Sequence, residues 1–182
     1  MAEFRQGVIT NNGLNLLARA QAGLATITFT KATIGDGTWA SDTPQETIMA
    51  STALRHARAE FPVSSATFVN HATSLLTIVA SNVENTETGY YIREVGVYAT
   101  DGVTEILYAI YLAEEPDWFP AYNSITPFSV TYNCYITVAN AETVTVSNAA
   151  GALITREDLE NAVRGALLMD DNGDFYVLEE VE

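Results

Sequence analysis

The residues whose spacing comes closest to a known chemical site lie near the C-terminus. Asp170, Asn172 and Asp174 have the first three spacings of a calcium-binding loop. Such a loop also needs glycine at its sixth position and glutamate at its twelfth, where this sequence has Phe175 and Val181. The segment is therefore interpreted as a β-turn, and no metal site is predicted.

Other combinations of catalytic residue types are equally incomplete. The only histidines, His56 and His71, have no cysteine or carboxylate at metal-ligand spacing. The adjacent carboxylates Glu114 and Glu115 could suggest a glycosidase, but neighbouring side chains on a loop seldom face one substrate. The sequence also lacks a nucleophile elbow, a phosphate-binding loop and a dinucleotide-binding fingerprint. We therefore predict that the protein is not an enzyme and needs no cofactor.

A pair of opposite charges, Arg93 and Glu94, interrupts the apolar run YIREVGVY at residues 91–98. Neighbouring residues in a strand point to opposite faces of the sheet, so one of the two charges is expected in the interior or at an interface. A buried charge is costly unless it is paired and hydrogen-bonded. We expect the pair to fix the structure within its own domain. Direct contact with a partner is the alternative.

Composition and charge exclude several classes of function. Of the 182 residues, 48% are hydrophobic and 17% are charged, which excludes intrinsic disorder. The net charge of −15 opposes binding to nucleic acid or to an anionic membrane surface. No segment approaches the roughly 18 uncharged apolar residues of a membrane span. The N-terminus has no signal-peptide pattern, so synthesis in the cytoplasm is expected.

Short strands and turns dominate the chain and must position these residues. Polar residues ahead of an apolar run predict a helix over 11–22, which Gly23 ends. β-favouring runs predict strands over 24–34, 66–81, 90–99, 106–112, 128–138 and 143–147, and polar residues around Pro44 predict a loop over 38–50. Residues 52–62 could be helical by propensity, but the β pattern around them favours a strand. Their spacing predicts a mainly β fold, an antiparallel β-sandwich or barrel with a short N-terminal helix. The single cysteine, Cys134, falls in one of these strands and is predicted to be a buried thiol.

Residues 113–127 contain three of the five prolines and several aromatic side chains. This composition predicts a long ordered loop between two strands. Exposed aromatic side chains on such a loop can bind the face of a sugar or a partner protein. Trp118, Phe119 and Tyr122 are therefore a candidate interaction surface.

The chain changes character after residue 150, which predicts a domain over 1–150 and an acidic extension over 151–182. A helix is predicted over 155–168 from a capping-box-like start and from apolar residues at helical spacing. These apolar residues, which complete the candidate interaction surface, are Leu159, Val163, Ala166 and Leu167. The stripe is expected to pack against its own domain or against the same helix of other copies, or to stay frayed in solution.

Three segments in a fixed order resemble a known protein family. They are VITNNGL at 8–14, FTKATIGDG at 29–37 and IREVGVY at 92–98, and VANA at 138–141 follows them before another strand. The chain resembles the N-terminal tail-collar domain of tail-fibre proteins from contractile-tailed phages and phage-tail-like particles. The resemblance extends over about residues 4–165, and its specificity comes from the combination and order of the motifs.

The resemblance implies a structural virion protein that anchors a fibre or a receptor-binding protein to the tail baseplate and so serves host attachment. It implies baseplate or tail proteins as partners, a homotrimer, and a location in the virion tail. The sequence ends at Glu182, whereas fibres of this family continue further. A short fibre, an adaptor for a separate receptor-binding protein and a truncated product are therefore three alternatives. A carbohydrate-binding module that uses the aromatic residues of 113–127 is the alternative function.

Overall fold

Long antiparallel strands make up most of the structure, a computed structural model that describes residues 3–70, 73–85, 88–138, 144–146, 167–169 and 175–177. The chain forms two compact units, Met1–Ala152 and Leu153–Glu182. In the described part of the first unit the helices are α1 (Asn11–Gln21) and α2 (Gln45–Met49). The strands of that unit are β1 (Glu3–Phe4), β2 (Val8–Ile9), β3 (Ile27–Gly35), β4 (Ala57–Asn70), β5 (Thr73–Ser81), β6 (Tyr90–Thr100), β7 (Glu105–Phe119), β8 (Ser129–Thr137) and β9 (Val144–Val146). The second unit contains β10 (Leu167–Met169) and β11 (Phe175–Val177).

The strands of the first unit form one curled sheet. They follow the order β1, β7, β6, β3, β4, β5, β8, with β2 added beside β7 and β9 beside β3. Every neighbouring pair is antiparallel except β3 with β9, which is parallel. In the second unit, β10 and β11 form an antiparallel pair. The predicted mainly β, antiparallel fold class is therefore confirmed, and its form is a curled sheet or half-barrel.

Tyrosine side chains link the two ends of the curled sheet. The Tyr108 hydroxyl donates a hydrogen bond to the Thr137 carbonyl at 3.0 Å, and the Tyr111 hydroxyl donates to the Tyr135 carbonyl at 2.7 Å. These bonds join β7, near one edge, to the edge strand β8, whose carbonyls would otherwise lack partners on that side. The register between β6 and β7 shifts by one residue at Tyr108. This bulge lets both tyrosines reach the same side of the sheet.

Hydrophobic side chains cover β7 on both faces. The main core includes Phe29, Tyr108 and Cys134, and α1 adds its buried apolar side chains to it. A second, smaller cluster lies against the other face of β7 and consists of Ile48, Leu54, Leu107 and Ile110, with Trp39 and Leu112 packed against it. A strand that is buried on both faces has apolar residues at successive positions, which explains the sequence ILYAIYL at 106–112.

Thr10 begins α1 and fastens it to β7. Its hydroxyl accepts a hydrogen bond from the Gly13 N–H at 3.0 Å and donates one to the Leu107 carbonyl. Gly13 has no room for a side chain, because an added Cβ would lie 2.3 Å from the carbonyl oxygen of Tyr108. Past the helix end, Gly23 adopts a φ of 70°, the left-handed conformation that stops helices. The helix predicted over 11–22 is confirmed to within one residue.

The structure corrects the loop predicted over 113–127. β7 continues to Phe119, and the connection to β8 begins only at Pro120. Pro116 fits within the strand because the register between β6 and β7 shifts there, so that several residues of β7 stand opposite Arg93 alone. A proline at such an irregularity removes no regular ladder hydrogen bond.

Other predicted elements also differ from the structure. The segment predicted as a loop over 38–50 contains the short helix α2. The strand predicted over 52–62 begins only at Ala57, because the residues before it form bends. Leu167, predicted to lie in a helix, lies in β10. The remainder of that predicted helix, residues 155–166, falls outside the described residues.

Candidate functional site

Glu94 is a fully buried carboxylate at the centre of a hydrogen-bond network. Its side chain is 0% exposed. One oxygen accepts hydrogen bonds from the indole N–H of Trp39 at 2.7 Å and from the backbone N–H of Arg55 at 3.2 Å. The other oxygen accepts one from the backbone N–H of His56 at 2.8 Å. Three donors compensate the cost of burying this charge, so Glu94 holds β6 to two other parts of the chain.

Glycines allow the turn after β3 to pass close to Glu94. A Cβ added at Gly35 would lie 2.8 Å from Glu94 Oε1, and one added at Gly37 would lie 2.3 Å from the same oxygen. Both distances are too short for any real side chain. The Ile-Gly-Asp-Gly sequence and the Arg-Glu-Val-Gly sequence are therefore two halves of one packed arrangement.

Asp36, between these glycines, faces outward and contacts two basic side chains, those of Arg58 and His56. Arg58 donates to its Oδ2 from Nε at 2.9 Å and from Nη2 at 2.7 Å, and the His56 ring contacts its Oδ1. Partial burial works to raise the pKa of Asp36, but the hydrogen bonds from Arg58 and His56 outweigh it and hold the pKa below its usual value. Asp36 thus ties the turn to the start of β4 on the outer surface.

Regular strand alternation would place Arg93 and Glu94 on opposite faces of the sheet. In the structure they lie on the same face. The register with β7 shifts between Ile92 and Glu94, and both Ile92 and Val95 belong to the main core. Arg93 and Glu94 therefore both lie on the side of β6 away from that core. Glu94 is bound by the network, whereas the half-buried Arg93 lines a surface groove beside it together with Gly37 and Trp39.

The groove beside Arg93 runs between the N-terminal segment, β7 and the turn after β3. We call it the Arg93 groove. Its first part has a volume of about 300 Å³. A second part of about 370 Å³ continues from it, and the two share Arg5 and Leu112 as lining residues. The first part is lined by Arg5, Gly37, Thr38, Trp39, Ala40, Ser41, Arg93, Leu112, Ala113, Glu114 and Pro116. The second is lined by Arg5, Gln6, Gly7, Val8, Thr43, Gln45, Ile48, Ile110 and Leu112.

The aromatic residues predicted to form an interaction surface occupy three different environments. Trp118 is 52% exposed and packs edge-on against Tyr91 of β6, with ring centroids 5.0 Å apart. Phe119 is 0% exposed and belongs to the main core, so it contributes to no surface. Tyr122 is half-buried in the connection to β8, where its backbone N–H donates to the Asn85 carbonyl at 2.7 Å.

The apolar stripe of the predicted C-terminal helix is placed only in part. Leu159, Val163 and Ala166 lie outside the described residues. Leu167 lies in β10, paired with Val177 of β11. The stripe as a candidate interaction surface therefore stays a prediction for its first three members.

Sequence reasoning missed the donors to Glu94 and the role of Asn82. Trp39 lies two residues after the Gly-Asp-Gly turn, but a tryptophan in a polar loop gives no signal of its buried partner. Asn82 is 1% exposed. Its side chain donates to the Pro120 carbonyl at 3.0 Å and accepts from the Phe128 N–H at 2.8 Å, so one residue holds both ends of the connection between β7 and β8.

The described residues contain no group of three or more histidine, cysteine, aspartate or glutamate side chains that could bind a metal ion. Among the helices that the structure describes, none is both long enough and apolar enough to cross a membrane. The described surface carries the exposed pair Tyr91 and Trp118 and the Arg93 groove.

Comparison with known proteins shows the family of this chain. No curated protein and no solved structure was found to match it. The model of one protein family, described as the N-terminal part of phage tail-collar fibre protein, matches residues 1–177 out of 182. The three segments that resemble this family lie within that match. The chain therefore belongs to the phage tail-collar fibre protein family, whose members are structural proteins of the phage tail fibre.

Proposed function

We propose that this protein anchors a fibre, or a separate receptor-binding protein, to the baseplate of the phage tail and so serves host attachment. The observation that carries the proposal is the position of the family segments in the fold. The segment at 29–37 and the segment at 92–98 meet at Glu94, and the segment at 8–14 lies along β7 next to them. The family sequence thus specifies a rigid framework, which is what a mechanical joint needs.

The framework leaves the outer surfaces available for partners. Tail and baseplate proteins are the expected partners, and the homotrimer is the expected state of the chain. The extension over 151–182 is proposed as the exit into a fibre or as a docking element, and Leu159, Val163 and Ala166 are proposed to pack in it. A contractile tail and a phage-tail-like particle are both compatible with this role.

The composition and structure of purified particles test the anchoring role. We expect the chain to be present in intact particles and to remain with the baseplate when fibres are sheared off. A density map of the particle should place the first unit, Met1–Ala152, at the junction of baseplate and fibre. Absence of the chain from purified infectious particles would contradict the proposal.

The exposed pair Tyr91 and Trp118 favours carbohydrate binding as a second candidate function. The two rings are in edge-on contact on the surface, where Tyr91 is 48% and Trp118 is 52% exposed. Gly89 lies against the Trp118 indole, because an added Cβ there would be 2.4 Å from Cζ2. Tryptophan faces bind sugars by stacking. A glycan array should show binding that Trp118→Ala abolishes and that the control Tyr135→Ala, at another exposed tyrosine, leaves intact. An array without hits removes this candidate.

A further inference from the structure

The Arg93 groove contains a cation for which the described chain provides no counter-ion. The ion pairs of the described residues include Arg5 with Glu114 at 3.3 Å, but none of them involves Arg93. Arg93 is nevertheless half-buried beside Trp39 and Pro116. A guanidinium that is partly desolvated without an anion is unfavourable, and its planar donors suit a carboxylate.

Among the described residues, no carboxylate beside Arg93 forms an ion pair with it. Glu94 is fully buried and its oxygens are occupied by three donors from Trp39, Arg55 and His56. Glu114, the acidic residue that lines the groove, is already paired with Arg5. The lining side chains therefore carry an excess positive charge within a chain whose net charge is −15. An anion from another molecule is electrostatically favoured here.

The shape of the groove indicates a chain segment as its occupant. Its two parts share Arg5 and Leu112, and the partly exposed apolar side chains of Val8 and Leu112 line the second part. A free carboxylate or phosphate would fill only the end at Arg93 and leave these apolar side chains uncovered. A nucleic-acid backbone would need several cations in a row, and it would be repelled by the net charge of the chain.

We propose that the Arg93 groove binds an extended segment of a partner protein, with an aspartate or glutamate carboxylate of that segment on Arg93 and apolar side chains along Leu112 and Val8. The inference rests on the proposed anchoring function for one point, that the partner is a tail protein. Binding to the groove itself is independent of that point and can be measured on the isolated chain.

The two tryptophans provide a built-in comparison for the measurement. Trp39 lines the groove, whereas Trp118 lies against Tyr91. The full chain, labelled with nitrogen-15, is titrated with the peptide acetyl-Gly-Leu-Asp-Leu-Gly-amide, and the two indole N–H signals are followed. We expect the Trp39 signal to shift and the Trp118 signal to stay. The matched peptide with asparagine in place of aspartate should bind at least about tenfold more weakly.

Two variants decide whether Arg93 is responsible. Arg93→Gln should weaken binding of the aspartate peptide at least about tenfold, and the matched control Arg19→Gln should not, because Arg19 pairs with Asp101 in the hairpin between β6 and β7. Equal binding of both peptides, equal binding by Arg93→Gln, or no shift of Trp39 at millimolar peptide would each overturn the inference.

Incorporation of Arg93→Gln into particles is measured separately. A chain that incorporates normally but does not bind the peptide contradicts the groove and leaves the anchoring function standing.

Discussion

Glu94 shows at the scale of a single residue how a buried charge can serve structure. Its carboxylate receives hydrogen bonds from one side chain and two backbone amides, and the glycines at 35 and 37 let the chain pass within contact distance. No cation is needed to balance it. Arg93, which looks like its natural partner in the sequence, lines a groove instead.

Replacing Glu94 by glutamine should be strongly destabilising. The amide group of Glu94→Gln would turn an N–H₂ toward donors that have no other acceptor, which costs about 2–4 kcal/mol in free energy of unfolding. Chemical denaturation measures this cost. The matched control is Glu60→Gln, whose side chain is 60% exposed and pairs with Lys31, and it should change stability by less than about 0.5 kcal/mol. Equal stabilities of the two variants would contradict the role given to Glu94.

Cys134 should be unreactive in the folded protein. Burial raises the pKa of its thiol from 9.0 to about 12. At pH 8 we expect a thiol reagent to label the native chain far more slowly than the denatured chain. Since the unfolded thiol ionises first, its contribution to stability is complete below pH 9 and is lost as the pH rises toward about 12. The decrease in unfolding free energy over this range should be smaller in Cys134→Ala. Labelling of the native protein at the rate of a free thiol would contradict this prediction.

Side-chain hydrogen bonds connect elements that the backbone ladder leaves apart. Tyr111 of β7 reaches the Tyr135 carbonyl of β8, and Asn82 binds both ends of the connection between these strands. These bonds join β7 and β8, which are not paired by backbone hydrogen bonds in the half-barrel. Strand ends are therefore held at defined places without a closed ladder.

Removing the hydroxyl of Tyr111 should weaken the link between β7 and β8. Tyr111→Phe leaves the Tyr135 carbonyl without this donor and is expected to lower the free energy of unfolding by about 1–2 kcal/mol. The matched control is Tyr135→Phe, because the side chain of Tyr135 is 60% exposed. Hydrogen exchange should also become faster in β8. An unchanged unfolding free energy in Tyr111→Phe would show that the bond does not hold the sheet together.

Substituting Asn82 should release the connection between β7 and β8. In Asn82→Ala the Phe128 N–H loses its partner, and the Pro120 carbonyl keeps only the longer hydrogen bond from the Asn85 side chain at 3.4 Å. We therefore expect a loss of about 2 kcal/mol in free energy of unfolding and faster proteolysis within 120–128. The control Asn133→Ala changes an exposed asparagine of β8 and should leave both properties unchanged. Identical cleavage rates in the two variants would contradict this assignment.

Sequence periodicity predicted the strands and α1 well but not their irregularities. Alternation along β8 and the cap at Thr10 depend on neighbours in the chain, so they are visible in one sequence. The shift in register near Arg93 and the bulge at Tyr108 depend on the length of the partner strand, which local pattern does not encode. For the same reason the environment of Phe119 was missed, since its burial comes from Tyr90 and Phe128.

At the scale of the whole molecule, the acidic chain combines a first unit built on one curled sheet with an extension whose apolar stripe is predicted from sequence. The chain belongs to the tail-collar fibre family, so its surface is that of a protein that works within a larger particle. For the site around Glu94, the sequence predicted only a strand that carries two charges. Its donors come from segments 55 residues and 38 residues away in sequence, beyond the reach of motif reasoning.

The proposed homotrimer can be tested through the apolar stripe. The double variant Leu159→Asp, Val163→Asp places charges where copies of the helix are proposed to meet, and it should convert trimers to monomers. Light scattering of the full chain measures the mass. The control Arg164→Gln changes a polar position of the same segment and should remain trimeric. A wild-type chain that is monomeric at high concentration, alone and with its baseplate partner, would contradict this part of the proposal.

The two backbone donors to Glu94 have a consequence for protein engineering. A peptide N–H is offered by every amino acid except proline, so the carboxylate fixes the course of the chain at positions 55 and 56 without specifying their side chains. Libraries that randomise these two positions should therefore yield many folded variants, with proline missing from both. The surface above the anchor is a place where new binding residues can be grafted onto the collar.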